Sequence, residues 1–242
     1  MPEGPSLLYL KNKLMPFKGK IVQEAGGYCK MPTAWLKKKK LLDILTHGKH
    51  LFFVFNNGIV KVHLGLFGEV LINETKKVNA SFYLHFAKGE INGYVVKAQK
   101  LEDKLQDLFE WRIDILSRKF DAAYVKSLIK NKKCKTIDEV LMDQEVFAGV
   151  GNKIRNEALY RAAVHPKSLV EKIPPAGLSR LIKEVVKYAN IFYQQLEKTG
   201  VNEGFHVYQQ EYAADGSEVT MEVLKKSRRK IFYSEHRQKL YV

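Results

Sequence analysis

The first residues of the chain, Met1-Pro2-Glu3-Gly4-Pro5, could carry out chemistry that no internal segment can. If Met1 is removed, Pro2 presents a free secondary amine. Such an amine can attack an electrophilic sugar carbon and form a charged imine, as amine nucleophiles do in Schiff-base chemistry. Glu3 lies beside it in the chain and could transfer protons or stabilise a developing cation. The alternative is that these residues are only the start of a helix, with Pro5 in its first turn.

A glycine turn between two helical segments, Gly149-Val150-Gly151-Asn152, is a second candidate site. Its two glycines let the backbone approach a ligand closely, and the helix that follows presents free N–H groups there. Asn152 adds a side-chain donor, and Lys153 and Arg155 add positive charge. In a basic protein this combination fits a phosphate better than any other anion. A helical hairpin in a core is the alternative, but it does not explain the two glycines and the asparagine.

The elements that must position these residues are predicted from the spacing of apolar side chains. Residues 5–15 have leucines at helical spacing, and Pro16 is expected to end that helix. Short segments rich in β-branched and aromatic residues follow, with a hairpin indicated at Asn57-Gly58. They predict an antiparallel sandwich or barrel capped by the first helix. The predicted strands are 20–24, 41–45, 51–55, 59–64, 69–72, 81–86 and 94–97.

The second half of the chain has a helical pattern, and residues 101–109 between the halves are ambiguous. A capping box at residues 136–139 opens one of the helices, and Gly200 ends a long amphipathic helix. The predicted helices are 120–130, 140–142, 152–163 and the segment after 174–175, and two strands follow at 219–223 and 230–233. We therefore predict an α+β protein with three domains: a β-sandwich with an N-terminal helix (1–116), a helical domain (117–200) and a small β-hairpin domain (201–242).

The composition favours a polyanionic partner. Lys and Arg together number 41 against 26 Asp and Glu, a formal net charge of +15, which suits nucleic acid or an anionic membrane surface. The run at 37–40, four lysines, is either a solvated edge or a phosphate contact. No run of 18 apolar residues and no signal pattern occur, so we expect a cytoplasmic protein. Cys29 and Cys134 are too few for a disulfide framework or a cysteine metal site.

Residues 141–166, LMDQEVFAGVGNKIRNEALYRAAVHP, resemble the helix–two-turn–helix element of the formamidopyrimidine-DNA glycosylase and endonuclease VIII family. The segment Pro2-Glu3-Gly4-Pro5 is similar to the start of that family, particularly of its endonuclease VIII branch. Gly48-Lys49 before an apolar strand, and residues 63–68, HLGLFG, are similar to two further segments of the family. These matches span both halves of the chain in the family's order.

The resemblance implies a base-excision-repair enzyme: a DNA glycosylase with abasic-site lyase activity, by β/δ-elimination, on oxidised bases. Pro2 would attack C1′ of the damaged nucleotide, and Glu3 would be the proton-transfer carboxylate. Lys49 would bind phosphate near the flipped nucleotide. The implied partner is damaged duplex DNA, and we expect a monomeric, cytoplasmic and nucleoid-associated protein that needs no cofactor.

The same resemblance implies a set of DNA contacts. Leu66, with Phe67, would fill the hole that a flipped base leaves in the stack. In the alternative interpretation, both are core residues of a sandwich strand. The remaining DNA-binding residues that the resemblance implies are His63, Asn152, Lys153 and Arg229.

The family usually ends in a zinc finger with four cysteines, but here no cysteine follows Cys134. The alignment places Ser234 and Arg237 at the second cysteine pair, so a tetrahedral thiolate site is impossible. We expect a metal-free hairpin of similar shape, with Arg229 reaching phosphate at the lesion. Further basic residues around it are Lys225, Lys226, Arg228 and Lys230.

Two departures from the family leave alternatives open. Ser6 stands where the family usually has a second glutamate, and the family's Asp-Arg-Arg-Phe strand has no counterpart, since 94–97 occupies that region. One alternative is therefore a damaged-DNA binder, or an abasic-site lyase, that has lost base excision. A basic RNA-binding protein is the other, but it does not explain Pro2, Lys49 and Asn152 together.

Overall fold

The computed structural model describes residues 2–224 and 228–242. Met1, Lys225 and Lys226 lie outside the described residues, and so do the predictions made for them. The chain divides into two compact units, Met1–Glu110 and Trp111–Val242. The first unit combines a helix with two antiparallel sheets, and the second is helical with a C-terminal hairpin, which confirms the α+β class. The three-domain division at 116 and 200 stays a prediction.

The first unit begins with helix α1, Gly4–Leu14, and a 3₁₀ turn at Met15–Phe17 follows it through Pro16. Two four-stranded antiparallel sheets have the strand orders β1-β6-β7-β5 and β2-β3-β4-β8. A four-residue helix, α2, Leu105–Leu108, follows the last strand. The strands are β1 Val22–Gly26, β2 Asp43–His47, β3 His50–Phe55, β4 Gly58–His63, β5 Glu69–Ile72, β6 Phe82–Phe86, β7 Glu90–Tyr94 and β8 Lys97–Leu101.

The core of the first unit lies between the two sheets and α1. Leu7 and Leu14 of α1 and alternate residues of β3 and β4, such as Phe53 and Val62, belong to one buried apolar cluster. Because strand side chains alternate between faces, the other face of β3 and β4 carries different residues. Phe52 and His50 lie there in ring contact, beside Phe109. The alternation therefore keeps the histidines off the core.

The predicted strand at 94–97 is wrong. Tyr94 ends β7 and Lys97 begins β8, and Val95 between them has φ 56° in the left-handed region. A β-branched residue rarely adopts that conformation, so the sequence gave no sign of a turn. The prediction therefore missed a strand, since β8 (Lys97–Leu101) was expected as an ambiguous linker. The hairpin at Asn57-Gly58 is confirmed, with Phe55 paired to Gly58.

The second unit contains four α-helices and a β-hairpin. Helix α6 ends as predicted at Gly200, whose φ is 77° and whose N–H donates to the Leu196 carbonyl over 2.9 Å. The elements are α3 Ala122–Lys130, α4 Ile137–Leu141, α5 Asn152–Ala162, α6 Pro175–Thr199, β9 Thr220–Val223 and β10 Lys230–Tyr233. Among the described residues, no helix is long and apolar enough to span a bilayer.

The capping box predicted at the start of α4 is wrong. Thr136 is the N-cap residue, but its hydroxyl makes no bond to the helix backbone. It donates instead to Asp138 Oδ1 over 2.6 Å. The start of α4 therefore holds a buried carboxylate, which matters for the site described below.

Candidate active site

The N-terminal residues are held by the first turn of α1. Pro2 is half-buried, and Glu3, 1% exposed, is the N-cap residue of the helix. The Glu3 carbonyl accepts the N–H groups of Ser6 over 2.9 Å and Leu7 over 3.2 Å, and Leu7 is part of the core. The segment is a helix start, as the alternative interpretation had it. That role fixes Pro2 and Glu3 in place and leaves their chemistry open.

Lys49 lies in the tight turn Gly48-Lys49 that joins β2 to β3, directly before the strand it was predicted to open. Gly48 has φ 54°, a conformation that glycine adopts without steric cost. On the neighbouring strand, Nδ1 of His63 lies 3.2 Å from the Lys49 carbonyl oxygen. The structure therefore brings together two of the residues that the sequence predicted for the site.

His50 is the buried member of a group of histidines around this turn. Its ring centroid lies 5.2 Å from that of His63 and 5.9 Å from that of Phe109. Burial lowers the pKa of His50 from 6.5 to about 4, because desolvation disfavours the charged imidazolium. Smaller contributions in the same direction come from His63, Lys61, His47 and Lys49. His50 is therefore neutral at neutral pH, beside the Lys49 cation.

The turn after β4 presents two large apolar side chains to solvent. Leu66 is 60% exposed and Phe67 is 81% exposed. The turn closes through a bond from the Gly68 N–H to the Leu64 carbonyl over 2.9 Å, and Gly65 has φ 63°. The alternative that Leu66 and Phe67 are core residues of a strand is therefore wrong. Adjacent exposed apolar side chains at a loop tip are typical of a binding surface.

In the second unit, the glycine turn is closed by a side chain that sequence reasoning did not single out. The amide of Gln144 donates to the Val150 carbonyl over 3.0 Å and accepts the Gly149 N–H over 3.2 Å. Gly149 has φ 104°, a conformation that favours glycine. The turn delivers Asn152 as the first residue of α5, where the helix has unpaired N–H groups.

Arg155 does not project toward a ligand as the sequence suggested, because its side chain is only 1% exposed. Its Nη2 donates to Oδ1 of Asn152 over 2.5 Å and to the carbonyl of Lys230 over 2.8 Å. Its Nη1 lies 3.7 Å from Oδ2 of Asp138, which is also buried. The guanidinium therefore links the start of α5 to strand β10 and is balanced by a buried carboxylate.

The next two residues of α5 also hold the C-terminal segment. Asn156 donates to the Asn152 carbonyl over 2.6 Å and accepts the Phe232 N–H over 2.9 Å. Glu157, fully buried, accepts through Oε1 the backbone N–H groups of residues 206, 207 and 208 over 3.0, 2.9 and 3.0 Å. Three consecutive polar side chains thus bind the backbone that follows α6.

Lys153 is half-buried, with its ammonium group near two aromatic rings. The Nζ lies 5.3 Å from the Phe192 ring centroid and 5.4 Å from the Phe205 ring centroid. Such cation–π contacts hold the charge close to the protein surface. The positive charge of Lys153 therefore stays next to Asn152.

Arg229 lies at the end of the loop that joins β9 to β10, and its side chain is exposed. Its carbonyl accepts the Leu224 N–H over 2.9 Å, and the strands pair from Lys230 and Val223 onward. A pocket of about 260 Å³ lies beside it in the second unit. The residues that line this pocket are Lys135, Asp138, Glu139, Met142, Asp143, Arg155 and Arg229.

Hydrogen bonds connect the residues near the expected cysteine positions. The Oγ atoms of Ser217 and Ser234 are 2.7 Å apart, and the Ser234 N–H donates to Oε1 of Gln238 over 3.0 Å. Nε of Arg237 donates to the Tyr160 carbonyl over 3.1 Å. In residues 2–224 and 228–242, no three His, Cys, Asp or Glu side chains are grouped to hold a metal ion.

The fold and these sites define a class: a two-unit α+β protein whose helical unit contains a helix–two-turn–helix element. The sequence profile of the formamidopyrimidine-DNA glycosylase H2TH domain matches residues 113–201. A formamidopyrimidine-DNA glycosylase of Lactococcus lactis, bound to DNA containing an AP site, superposes with a TM-score of 0.84. That match covers 98% of this chain and 99% of the other at 17% identity, so it concerns the fold.

Sequence relatives come from the same group of proteins. Endonuclease 8-like 2 of Mus musculus is 25% identical over 92% of this chain and 90% of its own length. Endonuclease 8-like 3 of Bos taurus is 29% identical over 62% of this chain, and the match spans only 26% of that relative's length. With the matched profile, fold and relatives, the chain belongs to the formamidopyrimidine-DNA glycosylase and endonuclease VIII family.

Proposed function

We propose that this protein is a base-excision-repair DNA glycosylase with abasic-site lyase activity on oxidised bases. The observation that carries the proposal is the Pro2-Glu3 pair held by the first turn of α1, with Glu3 buried at the helix N-cap. A secondary amine next to a fixed carboxylate suits imine chemistry at a sugar carbon. Family membership supports the same reaction, and the proposed substrate is damaged duplex DNA.

The proposed reaction begins after removal of Met1, when the Pro2 nitrogen is no longer part of a peptide bond. The amine attacks C1′, and the base leaves with the electron pair of the C1′–N bond and a proton. The C1′–O4′ bond then opens with protonation of O4′, which leaves an iminium between C1′ and Pro2. Glu3 takes up and returns the protons in these steps.

The iminium then makes strand cleavage possible. Loss of a C2′ proton breaks the C3′–O3′ bond in β-elimination, and loss of a C4′ proton breaks the C5′–O5′ bond in δ-elimination. Water finally hydrolyses the imine and releases the Pro2 amine. Every proton transfer in this sequence needs a general acid or base, and Glu3 is our candidate.

The DNA contacts proposed for the first unit follow from the turns described above. Lys49 binds a phosphate near the flipped nucleotide, and His63, in contact with its carbonyl, lies at the same position on the backbone of the DNA. Leu66 and Phe67 fill the space that the flipped base leaves. Their exposure supports that role, because a wedge must be accessible before DNA arrives.

The DNA contacts proposed for the second unit are to phosphates. Asn152 donates from its side chain and from the start of α5, and Arg229 donates from the hairpin. Lys153 adds positive charge next to Asn152. Phosphate contacts of this kind position a protein on DNA without reading its sequence. We further propose that the protein acts as a monomer, in the cytoplasm and associated with the nucleoid.

A second candidate function, an abasic-site lyase without base excision, is favoured by Ser6. Serine replaces the glutamate that the family usually has, so one carboxylate for protonating the sugar is missing. The lyase steps need only Pro2 and proton transfer by Glu3. The two candidates therefore differ in whether an intact damaged nucleotide is a substrate.

Borohydride trapping on two duplexes, one with an abasic site and one with thymine glycol, tests both candidates. Borohydride reduces the imine to a stable protein–DNA adduct. We expect adducts on both duplexes from protein whose Met1 removal has been checked by mass spectrometry. An adduct on the abasic duplex alone would establish the lyase. The absence of adducts on both would contradict both candidates.

A further inference from the structure

We infer that Arg155 is a positioning residue that orients both phosphate contacts of the second unit, the Asn152 amide and the Arg229 hairpin. The inference rests on the proposed function, which supplies the DNA. It also departs from the sequence interpretation, in which Arg155 was a source of charge for the ligand. A side chain that is 1% exposed cannot donate to DNA directly.

The first step concerns the orientation of the Asn152 amide. A guanidinium has only donors, so the Asn152 atom that faces Arg155 Nη2 at 2.5 Å must be the carbonyl oxygen. The amide nitrogen then points away from Arg155, with two N–H donors. A phosphate oxygen accepts and never donates at neutral pH. Arg155 thus selects the amide orientation that can bind a phosphate and disfavours the one that would repel it.

The second step concerns the hairpin. The same Nη2 atom donates to the Lys230 carbonyl over 2.8 Å, and Lys230 directly follows Arg229 in the chain. Asn156 fixes the strand once more, through the Phe232 N–H at 2.9 Å. These bonds hold residues 230 and 232 of β10 in one register on α5. Arg229 is therefore held at a set distance from Asn152.

The third step concerns the charge of Arg155. A buried guanidinium would be unstable without compensation. Asp138 supplies a carboxylate at 3.7 Å, and the Thr136 hydroxyl donates to its other oxygen over 2.6 Å. The Arg155 side chain and Arg229 also line the same pocket of about 260 Å³. The arrangement therefore keeps Arg155 fixed beside the groups that it orients.

A consequence is that the two phosphate contacts depend on one residue. Replacing Arg155 with methionine keeps an unbranched side chain and removes the donors. We expect Arg155→Met to weaken binding to a tetrahydrofuran-containing duplex about 10- to 100-fold, as much as Asn152→Ala and Arg229→Ala combined. Adding Arg155→Met to that double variant should weaken binding no further.

The salt dependence of binding distinguishes positioning from stability. Each lost phosphate contact lowers the slope of log K against log salt by about 0.9, so Arg155→Met should lower it by about 2. Arg161→Met is the matched control, since Arg161 lies on the same helix and pairs with Glu157. It should leave the slope unchanged. Arg155→Lys, which keeps the charge and one donor direction, should recover part of the loss.

Two results would overturn the inference. One is an unchanged salt slope for Arg155→Met with a fall in melting temperature like that of Arg161→Met, which would make the role purely structural. The other is a further full loss of binding in the triple variant. The slope can be measured on undamaged duplex as well. A wild-type protein without preference for the tetrahydrofuran duplex would contradict the proposed function and leave the test of Arg155 intact.

Discussion

Ser217 and Ser234 share a hydrogen bond, with 2.7 Å between their Oγ atoms, where β10 leaves the hairpin. The Ser217 hydroxyl donates to Oδ1 of Asp215 over 2.6 Å, so Ser234 must be the donor to Ser217. Ser234 is fully buried, and its N–H donates to Gln238. A chain of neutral hydrogen bonds connects segments that a metal ion connects in many relatives of the family.

The first prediction follows from this chain of bonds. Ser217→Ala leaves the buried Ser234 hydroxyl without its acceptor and should lower the free energy of unfolding by about 1–3 kcal/mol. Urea denaturation measures the change. The control is Ser179→Ala, an exposed serine on α6. Incubation with EDTA should leave the midpoint of wild-type unfolding unchanged. A lowered midpoint after EDTA treatment would contradict the prediction.

The second prediction concerns Glu157, whose Oε1 accepts three backbone N–H groups. Glu157→Ala should lower the free energy of unfolding by about 3–5 kcal/mol, because it leaves these donors and the Arg161 charge without their acceptor. Glu184→Ala, on the neighbouring helix α6, is the control and should cost less than about 1 kcal/mol. Equal losses in the two variants would contradict the account.

The third prediction is a pH dependence caused by His50. The pKa of His50 is about 4 in the folded protein and 6.5 in the unfolded chain. Between these values the unfolded chain binds a proton that the folded protein does not. Stability should therefore fall as the pH falls from 6.5 to 4, by up to about 3 kcal/mol, and then level off.

The control for this prediction is His50→Gln, which removes the titrating group. The difference in free energy of unfolding between wild type and variant should change across pH 4–6.5 and stay constant between pH 7 and 8. Urea denaturation at several pH values measures it. A constant difference across the whole range would mean that the His50 pKa is not lowered by burial.

The fourth prediction separates function from stability in the exposed turn. Phe67→Ala removes a side chain that is 81% exposed, so stability should change by less than about 0.5 kcal/mol. If Phe67 helps to fill the space left by a flipped base, activity on lesion duplexes should fall about 10-fold. Val78→Ala, 64% exposed in the same unit, should change neither quantity. An equal activity of both variants would exclude Phe67 from the wedge.

Several elements could be predicted because the information is local. Apolar spacing and Gly200 define α6, and Asn57-Gly58 defines the hairpin between β3 and β4. The turn at Val95 was missed because its residue type opposes its conformation. The box at Thr136 was misassigned because its hydroxyl bonds a side chain, a choice that sequence spacing does not reveal.

The candidate site was predictable where chemistry depends on one residue type at one place, as at Pro2 and Asn152. Arg155 and Asn156 were missed as structural residues, because their partners Lys230 and Phe232 lie 75 and 76 residues further along the chain. One sign was available: consecutive polar residues between apolar ones on a short helix. That sign becomes informative only once the hairpin is known to cover the helix.

The identity of the residue that forms the imine is the central claim, and mapping the trapped adduct tests it most directly. The protein is reduced with borohydride on an abasic duplex, digested with nuclease and trypsin, and analysed by tandem mass spectrometry. The account predicts that the deoxyribose remnant lies on the nitrogen of Pro2 and that Pro2→Gly greatly reduces the adduct. A remnant on Lys49 or another lysine, with Pro2 unmodified, would contradict the account.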